Sequence, residues 1–385
     1  MGQDAQSASP WNRQRNEIPS DGTFPESLVS IGMPVYNGEA FLPQALDSLL
    51  AQDDAHFELI ISDNASQDRT EEICREYQAQ DQRIRYVRHP ENHGSPWNFA
   101  FVAREVRGAY FAWAAHDDLW HPTFLRKCRA ALDDHPEALL CCTEIEFFDA
   151  HGAASPHYPN YRNIETLGMS PVERIHALMS LPGWFAIYGL MRREVLTKIS
   201  LGLGAYAWDV ILLLEILLLG PTMKVPETLF TFRVIEPKSA SDYAETFKND
   251  SAPPATPYAG AAADLLRTIY RSSLSSREKT QAFAHFILDC QKPPWRPTIS
   301  AELLGDAVVD DAQFALLTGL LLSRCVPFHE IQHNPLCKAI YRSVIDAPDL
   351  LRIARRILLQ PNPALSALAA DERAHKTPEL FRNRT

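Results

Sequence analysis

The stretch "HDDLW", residues 116–120, sets Asp117 and Asp118 directly behind the apolar run "AYFAWAA". Adjacent carboxylates repel each other, and the end of a buried strand is a costly place for them. A hard divalent cation removes that cost, because it binds both acids and keeps positions open for diphosphate oxygens and water. The alternative is an N-cap, in which an Asp before a helix accepts backbone N–H bonds. A third acid, Asp63, ends "FELIISD" and opens "SDNASQD". It reads either as an Asx turn or as a carboxylate that accepts from the N3–H of a uracil or thymine ring. A further loop, "PVYN" (Pro34, Val35, Tyr36, Asn37), ends another apolar run. No GxGxxG and no Walker loop accompanies these residues, so phosphate has to be held by another device, and a cation on the acid pair is one.

The elements that must position these residues alternate in type. "LVSIGMP", "FELIISD", "IRYVRH", "AYFAWAA" and "ALLCCTEIEFF" read as strands. Between them, "EAFLPQALDSLLAQ", "DRTEEICREYQAQ", "SPWNFAFVAREV" and "HPTFLRKCRAALDDHP" have helical spacing. Alternation of this kind predicts an α/β fold, a mainly parallel sheet with helices on both faces. Ligands of such sheets bind beyond the carboxyl ends of the strands, where the three loops above converge. The expected organisation is a flexible lead-in over 1–24, an α/β domain over 25–240, a linker over 241–260 and a helical region over 261–385. "AAADLLRTIYRSS", "REKTQAFAHFILDC", "DAQFALLTGLLLSR" and "DLLRIARRILLQ" carry the helical spacing of that last part.

Composition narrows the function classes. A net charge of −11 over 385 residues argues against a general nucleic-acid binder. The seven cysteines show no CxxC pair and no metal-ligand spacing, which predicts reduced, buried thiols in a cytoplasmic protein. The polar N-terminus has no apolar h-region, and no run approaches the length of a membrane span. Residues 338–385 carry nine Lys/Arg against five Asp/Glu. There, Arg352, Arg355 and Arg356 share one face of a helix that would either rest on an anionic membrane or pack as an ordinary surface helix.

"VSIGMPVYNGEAFLPQALDSLLAQ", "FELIISDNASQDRT", "RHPENHGSPWNFAF" and "GAYFAWAAHDDLWHPTFL" stand in the order of the nucleotide-binding segments of family 2 glycosyltransferases, and the chain resembles that family over roughly residues 28–240. The resemblance implies the GT-A fold, a Rossmann-like sheet, with a nucleotide-sugar donor and a divalent metal, Mn²⁺ or Mg²⁺. It implies that Asp63 contacts the base and that the backbone of Pro34, Val35, Tyr36 and Asn37 lines the base pocket. It also implies that Asp117 contacts ribose or metal and that Asp118 ligates the metal. Many members have a further Asp where this chain has Ala115, so metal binding rests more heavily on Asp118.

The same resemblance reaches the acceptor half. "AYAWDVILLLEILLLG" matches the segment that carries the general base, which puts Asp209 in that role, with a helix cap as the alternative. Glu215 falls on another face of the helix, and Trp208 is either a sugar-stacking or a core residue. Members usually carry Arg-x-His further on. Here Arg233 stands, but Ile235 holds the His position beside Glu236, so Arg233 or Lys238 is expected to hold the diphosphate, with Glu236 a candidate to replace the lost ligand. The implied activity is inverting transfer from a UDP- or dTDP-sugar to a hydroxyl of a glycan or lipid-linked acceptor, in bacterial cell-surface polysaccharide assembly. A nucleotide-sugar-binding pseudoenzyme or regulator is the alternative. A nucleotidyltransferase fits less well, since "PVYNGEAF" offers no Gly- and Arg-rich phosphate loop.

Overall fold

The computed structural model of the chain describes residues 28–156, 158, 161–181, 183–201, 207–235, 257–290, 292, 295–296, 299 and 314. Its centre is an eight-stranded sheet in the order β3-β2-β1-β4-β7-β6-β8-β5. β1 (Val29–Val35), β2 (Phe57–Asp63), β3 (Ile84–Arg88) and β4 (Tyr110–Trp113) form an all-parallel half. β1 and β4 are buried along their whole length, as strands covered on both faces must be. The crossovers are α1 (Leu42–Leu50), α2 (Thr70–Gln80) and α3 (Ser95–Arg104). The chain runs outward from β1 to β3 and then returns to pair β4 on the other side of β1. That reversal is a topological switch point, the place where open α/β sheets bind ligands.

The second half is mixed. β6 (Leu140–Asp149) and β8 (Thr222–Val234) are parallel, with an irregular register around Glu144. β7 (Leu190–Arg192) is antiparallel to both β4 and β6 and joins the two halves. β5 (Leu119–Trp120), directly after the acid pair, runs antiparallel to the outer edge of β8. The sheet is therefore mostly parallel, as the alternation predicts. The antiparallel insertions are strands of two or three residues, too short to leave a periodic signal.

Each face of the sheet has its own core. α1, α2 and α4 (Phe124–Asp134) cover one side, and α4 turns in Phe124, Leu125, Cys128 and Leu132 at helical spacing. α3, α5 (Pro171–Met179) and α6 (Trp208–Leu219) cover the other. α6 is apolar all round because it is enclosed by the sheet, by α5 and by α7 (Pro257–Arg271). α7 and α8 (Ser276–Asp289) contribute Leu265, Ile269, Phe283 and Phe286 to that same core. Capping boxes at Ser170/Glu173 and Ser275/Glu278 start α5 and α8. α7 begins before the expected end of the 241–260 linker. The described helices beyond it complete the core of the α/β domain rather than building one of their own.

Among the described residues no helix is long and apolar enough to cross a membrane. Cys74, Cys128, Cys141, Cys142 and Cys290 are free and buried. Lys238, Glu236 and the basic segment with Arg352, Arg355 and Arg356 lie outside the described residues, as do Cys325 and Cys337.

Candidate active site

At the carboxyl edge of the parallel half, polar side chains lace three loops together. Asn37 and Ala65 sit at positive φ, 51° and 63°, so that the loops after β1 and β2 can face each other closely. The Asn37 amide donates to Ser66 Oγ (2.9 Å), and the Asn37 Oδ1 accepts from the Gln67 amide (2.8 Å). The Gly38 and Glu39 amides donate to Thr70 Oγ1 (2.8 Å) and Asp68 Oδ2 (3.0 Å). The loop after β3 joins through Asn64, which donates to Asn92 Oδ1 (2.7 Å) and accepts from the His93 amide (2.9 Å). Beneath them the Ser62 hydroxyl donates to Asn98 Oδ1 (2.5 Å), so its 2.8 Å contact with His89 Nε2 makes that nitrogen the donor. Burial lowers the His89 pKa.

Asp63 is fully buried at the centre of this lacing. One carboxylate oxygen accepts from the Ser66 amide (2.8 Å), closing the turn. The other accepts from the Tyr86 hydroxyl (2.6 Å) and from Arg88 Nε (3.2 Å). Three of roughly four acceptor positions on the carboxylate are thus filled within the chain. The carboxylate closes the loop through the amide three residues on, one residue beyond an Asx turn, and one acceptor position is left for a base contact.

The acid pair is held differently. α4 starts at Phe124 behind Thr123, and β5 intervenes, so neither Asp117 nor Asp118 caps that helix. Asp118 is fully buried; its Oδ1 accepts from the backbone amide of Arg233 (2.8 Å), and its Oδ2 has no hydrogen-bond partner among the described residues. Burial, and then the charge of Asp117, push the Asp118 carboxyl well above the usual carboxylate range, against the pull of Arg233. Arg233 is itself buried, with its guanidinium between the rings of Phe41 (4.1 Å) and Phe148 (4.3 Å). Its Nε donates to the Asp117 carbonyl (2.8 Å) and its Nη2 to Gln44 Oε1 (2.8 Å). One residue of β8 therefore fastens the acidic turn to β8 and to α1. Gly38 lets the first loop lie against that turn, since a Cβ there would come within 2.8 Å of His116 Cδ2.

Asp209 stands in the first turn of α6, behind Ala207, which takes a left-handed conformation (φ 57°). Its Oδ1 accepts from the Val210 amide (2.9 Å), and Ala207, not Asp209, is the cap residue. Burial pushes the carboxyl up to about 6. Glu215 is turned away, as its spacing predicts, and accepts from the Ser200 amide (2.8 Å). Trp208 packs on Phe99 with ring centroids 4.7 Å apart.

Tyr188 closes a 3-10 turn (Phe185–Tyr188) that packs between β6 and α6. Burial raises its phenol pKa, and the charges of Asp118, Asp117 and Asp209 raise it further. The sequence reading passed over Tyr188, as it did Gln44, Ser66 and Arg88. Only their partners mark them, and those partners are distant in the chain. No group of three or more His, Cys, Asp or Glu side chains forms a metal cage among the described residues. The donors available are those of the acid pair.

Residues 30–199 match the profile of glycosyl transferase family 2. This segment belongs to that family. The chain is 38% identical over 155 residues to an uncharacterized glycosyltransferase of Rickettsia prowazekii, covering 40% of this chain and 48% of that one. It is 37% identical over 136 residues to an uncharacterized protein of Mycobacterium tuberculosis, covering 34% and 38%. The chain thus spans less than half the length of these curated relatives. In fold, the family 2 domain and the helices behind it are similar to S. aureus TarS 1–349, solved with UDP-GlcNAc. The TM-score is 0.53 at 16% identity, over 86% of this chain and 90% of that one.

Proposed function

We propose that the protein is an inverting glycosyltransferase that moves a sugar from a UDP- or dTDP-sugar to a hydroxyl of a glycan or lipid-linked acceptor. Bacterial cell-surface polysaccharide assembly is the setting proposed for it. The observation that carries this reading is the acid pair at the carboxyl edge of the sheet, where Asp118 is fully buried and no described residue partners its Oδ2, with Asp209 in the first turn of α6. TarS, which shares the fold, has been solved with UDP and with UDP-GlcNAc, and this supports a uridine nucleotide as the first donor to test.

In the proposed reaction Asp209 accepts the proton of the acceptor hydroxyl while that oxygen forms the new bond to the anomeric carbon. The bond from that carbon to the diphosphate oxygen breaks, and its electron pair leaves with the diphosphate. Attack from the opposite face inverts the centre, and no covalent enzyme intermediate is needed. A base near pKa 6 is ionised at neutral pH yet basic enough to share the proton in the transition state.

The unpartnered Oδ2 of Asp118, with Asp117 beside it, fits a hard divalent cation, Mn²⁺ or Mg²⁺. A cation bound there supplies the positive charge that a departing diphosphate requires. Arg233 holds the acidic turn in shape and adds its own charge beside the diphosphate. Asp63 and the main chain of Pro34 to Asn37 shape the base pocket.

The test is a panel of nucleotide sugars, followed by release of the free nucleotide, with Mn²⁺, with Mg²⁺ and with a chelator. Asp118→Asn keeps the acceptor for the Arg233 amide and removes the repulsion with Asp117, so the melting temperature should hold. Metal-dependent release should fall on the order of 10²-fold or more. Near-normal release from the variant would remove Asp118 from the metal site. Nucleotide binding without release from any donor would favour the regulator instead.

A further inference from the structure

Arg233 is a buried cation that meets no anion directly. It is 4% exposed, and its guanidinium lies 4.1 Å from the Phe41 ring centroid and 4.3 Å from that of Phe148. Among the described residues no carboxylate forms an ion pair with it, although Asp117 and Asp118 make up the turn it holds. Both acceptors of its guanidinium are neutral, the Asp117 carbonyl for Nε and Gln44 Oε1 for Nη2, each at 2.8 Å. Nη1 has no acceptor among the described residues. A charge taken out of water usually brings a counter-charge with it, because desolvation is costly. Here two ring faces and two carbonyl dipoles offset that cost, and none of them cancels the charge.

Gln44 supplies the neutral contact from α1. It stands in the first turn of that helix as an exposed residue. The acids nearest to it along the chain are committed elsewhere: Glu39 accepts from the Arg69 amide (3.1 Å), and Asp47 from the Tyr77 hydroxyl (2.7 Å). α1 therefore presents an amide oxygen to the guanidinium, with the neighbouring acids turned toward α2. The loop after β1 runs into α1 and lies against the acidic turn at Gly38. The guanidinium thus sits where three segments meet: the start of α1, the acidic turn and the end of β8. On the proposed function, a nucleotide that reaches from the loops after β1 and β2 to the acid pair brings its diphosphate to that junction.

We propose that Gln44 is a positioning residue for donor binding: it fixes the Arg233 guanidinium beside the acid pair through an uncharged bond, which leaves the positive charge whole for the donor diphosphate. The proposal rests on the glycosyltransferase reading and concerns how that same site takes its anion. A glutamate at this position would bind the guanidinium more strongly, since both partners would be charged, and would cancel the charge that the diphosphate needs. An aliphatic side chain would leave the charge and free the guanidinium to turn, with Nε alone to orient it. The amide does neither.

Isothermal titration calorimetry on the full chain tests this, with UDP, uridine and inorganic pyrophosphate as probes in one Mg²⁺ buffer. Gln44→Glu should weaken UDP and pyrophosphate at least about tenfold and leave uridine unchanged. It should also melt no lower than the unaltered protein, because it gains an ion pair. Gln44→Met keeps the length of the side chain without the acceptor, and should weaken UDP about threefold. Both changes fall on an exposed residue, so the fold is not at stake in either. A UDP affinity within about twofold of the unaltered protein in Gln44→Glu overturns the proposal. Equal loss of uridine and UDP overturns it as well, since the bond would then serve the fold alone, and so does UDP binding unchanged in Gln44→Met. Should the unaltered protein bind pyrophosphate but not UDP, the uridine reading falls, and a loss of pyrophosphate binding in Gln44→Glu still supports Gln44 in this role. Binding of neither overturns the proposal.

Discussion

The two halves of the sheet treat their polar groups in opposite ways. In the parallel half, loop amides and side chains find each other, and even the buried carboxylate of Asp63 accepts from Ser66, Tyr86 and Arg88. In the mixed half, Asp118 keeps a buried oxygen that no described residue partners, Asp209 is half-buried with its carboxyl pushed up to about 6, and Ala207 sits in a conformation that alanine avoids. Satisfied groups make a rigid frame with little left to give a reactant. Unsatisfied charge and strain cost stability, and they persist where a ligand or a proton relieves them. On the proposed function, the first half is scaffold and recognition surface, and the second holds the chemistry.

The largest effect expected from that contrast is at Asp209. Asp209→Asn keeps an acceptor for the Val210 amide but cannot take the proton, so turnover should fall roughly 10²- to 10⁴-fold while donor binding survives. The pH profile of the unaltered protein should rise through about pH 6, and that limb should vanish in the variant. The stability sign is the reverse of a salt-bridged acid. Because the folded pKa lies above the unfolded one, ionising Asp209 costs stability as pH rises from about 4 to above 6. Asp209→Asn should therefore melt higher than the unaltered protein at pH 7 and show little difference near pH 4. Loss of donor binding together with turnover would instead make Asp209 part of the scaffold and blur the contrast.

A middle-sized effect belongs to Arg233, which ties the halves together. Arg233→Lys keeps the charge and the backbone amide but loses the planar group between Phe41 and Phe148 and the paired donations to Asp117 and Gln44. Turnover should fall roughly tenfold, with a drop of a few degrees in melting temperature, because the acidic turn is then held by one bond alone. Unchanged activity would mean that the acid pair keeps its shape without the second half's support.

The smallest effect expected is in the lacing. Ser66→Ala removes one acceptor from the Asn37 amide and should cost about 1 kcal/mol, read as a modest drop in denaturation midpoint. Donor KM should rise slightly, and kcat should stay put. A large fall in kcat from this change would put catalysis in the parallel half and break the comparison.

Much of the parallel half was legible in the sequence because its signals are local. β1, β2 and β4 are apolar runs ending in Asn37, Asp63 and Asp117, and each helix repeats its apolar residues at helical spacing. The mixed half hid more. β7 has three residues and gains its meaning only between β4 and β6. β5 has two, and it separates the acid pair from the helix that the alternative reading had it cap. Tyr188 looks like any aromatic near a glycine until the fold sets it between β6 and α6. Phe41 and Phe148 gave no sign that they enclose Arg233, for cation–π contacts across such distances in the chain leave no spacing to read.

Asp118 leans on the main-chain amide of a residue 115 positions further along, while the loops of the parallel half are tied across spans of about 30. Synthesis from the N-terminus therefore delivers these pieces at different times. The parallel half can lace its loops as soon as β3 and β4 have been made, with modest closure entropy. The acidic turn waits, bare and repelling, until β8 arrives to hold it. A growing or truncated chain that stops short of Arg233 has its laced loops finished and nothing to fix the acidic turn beside them.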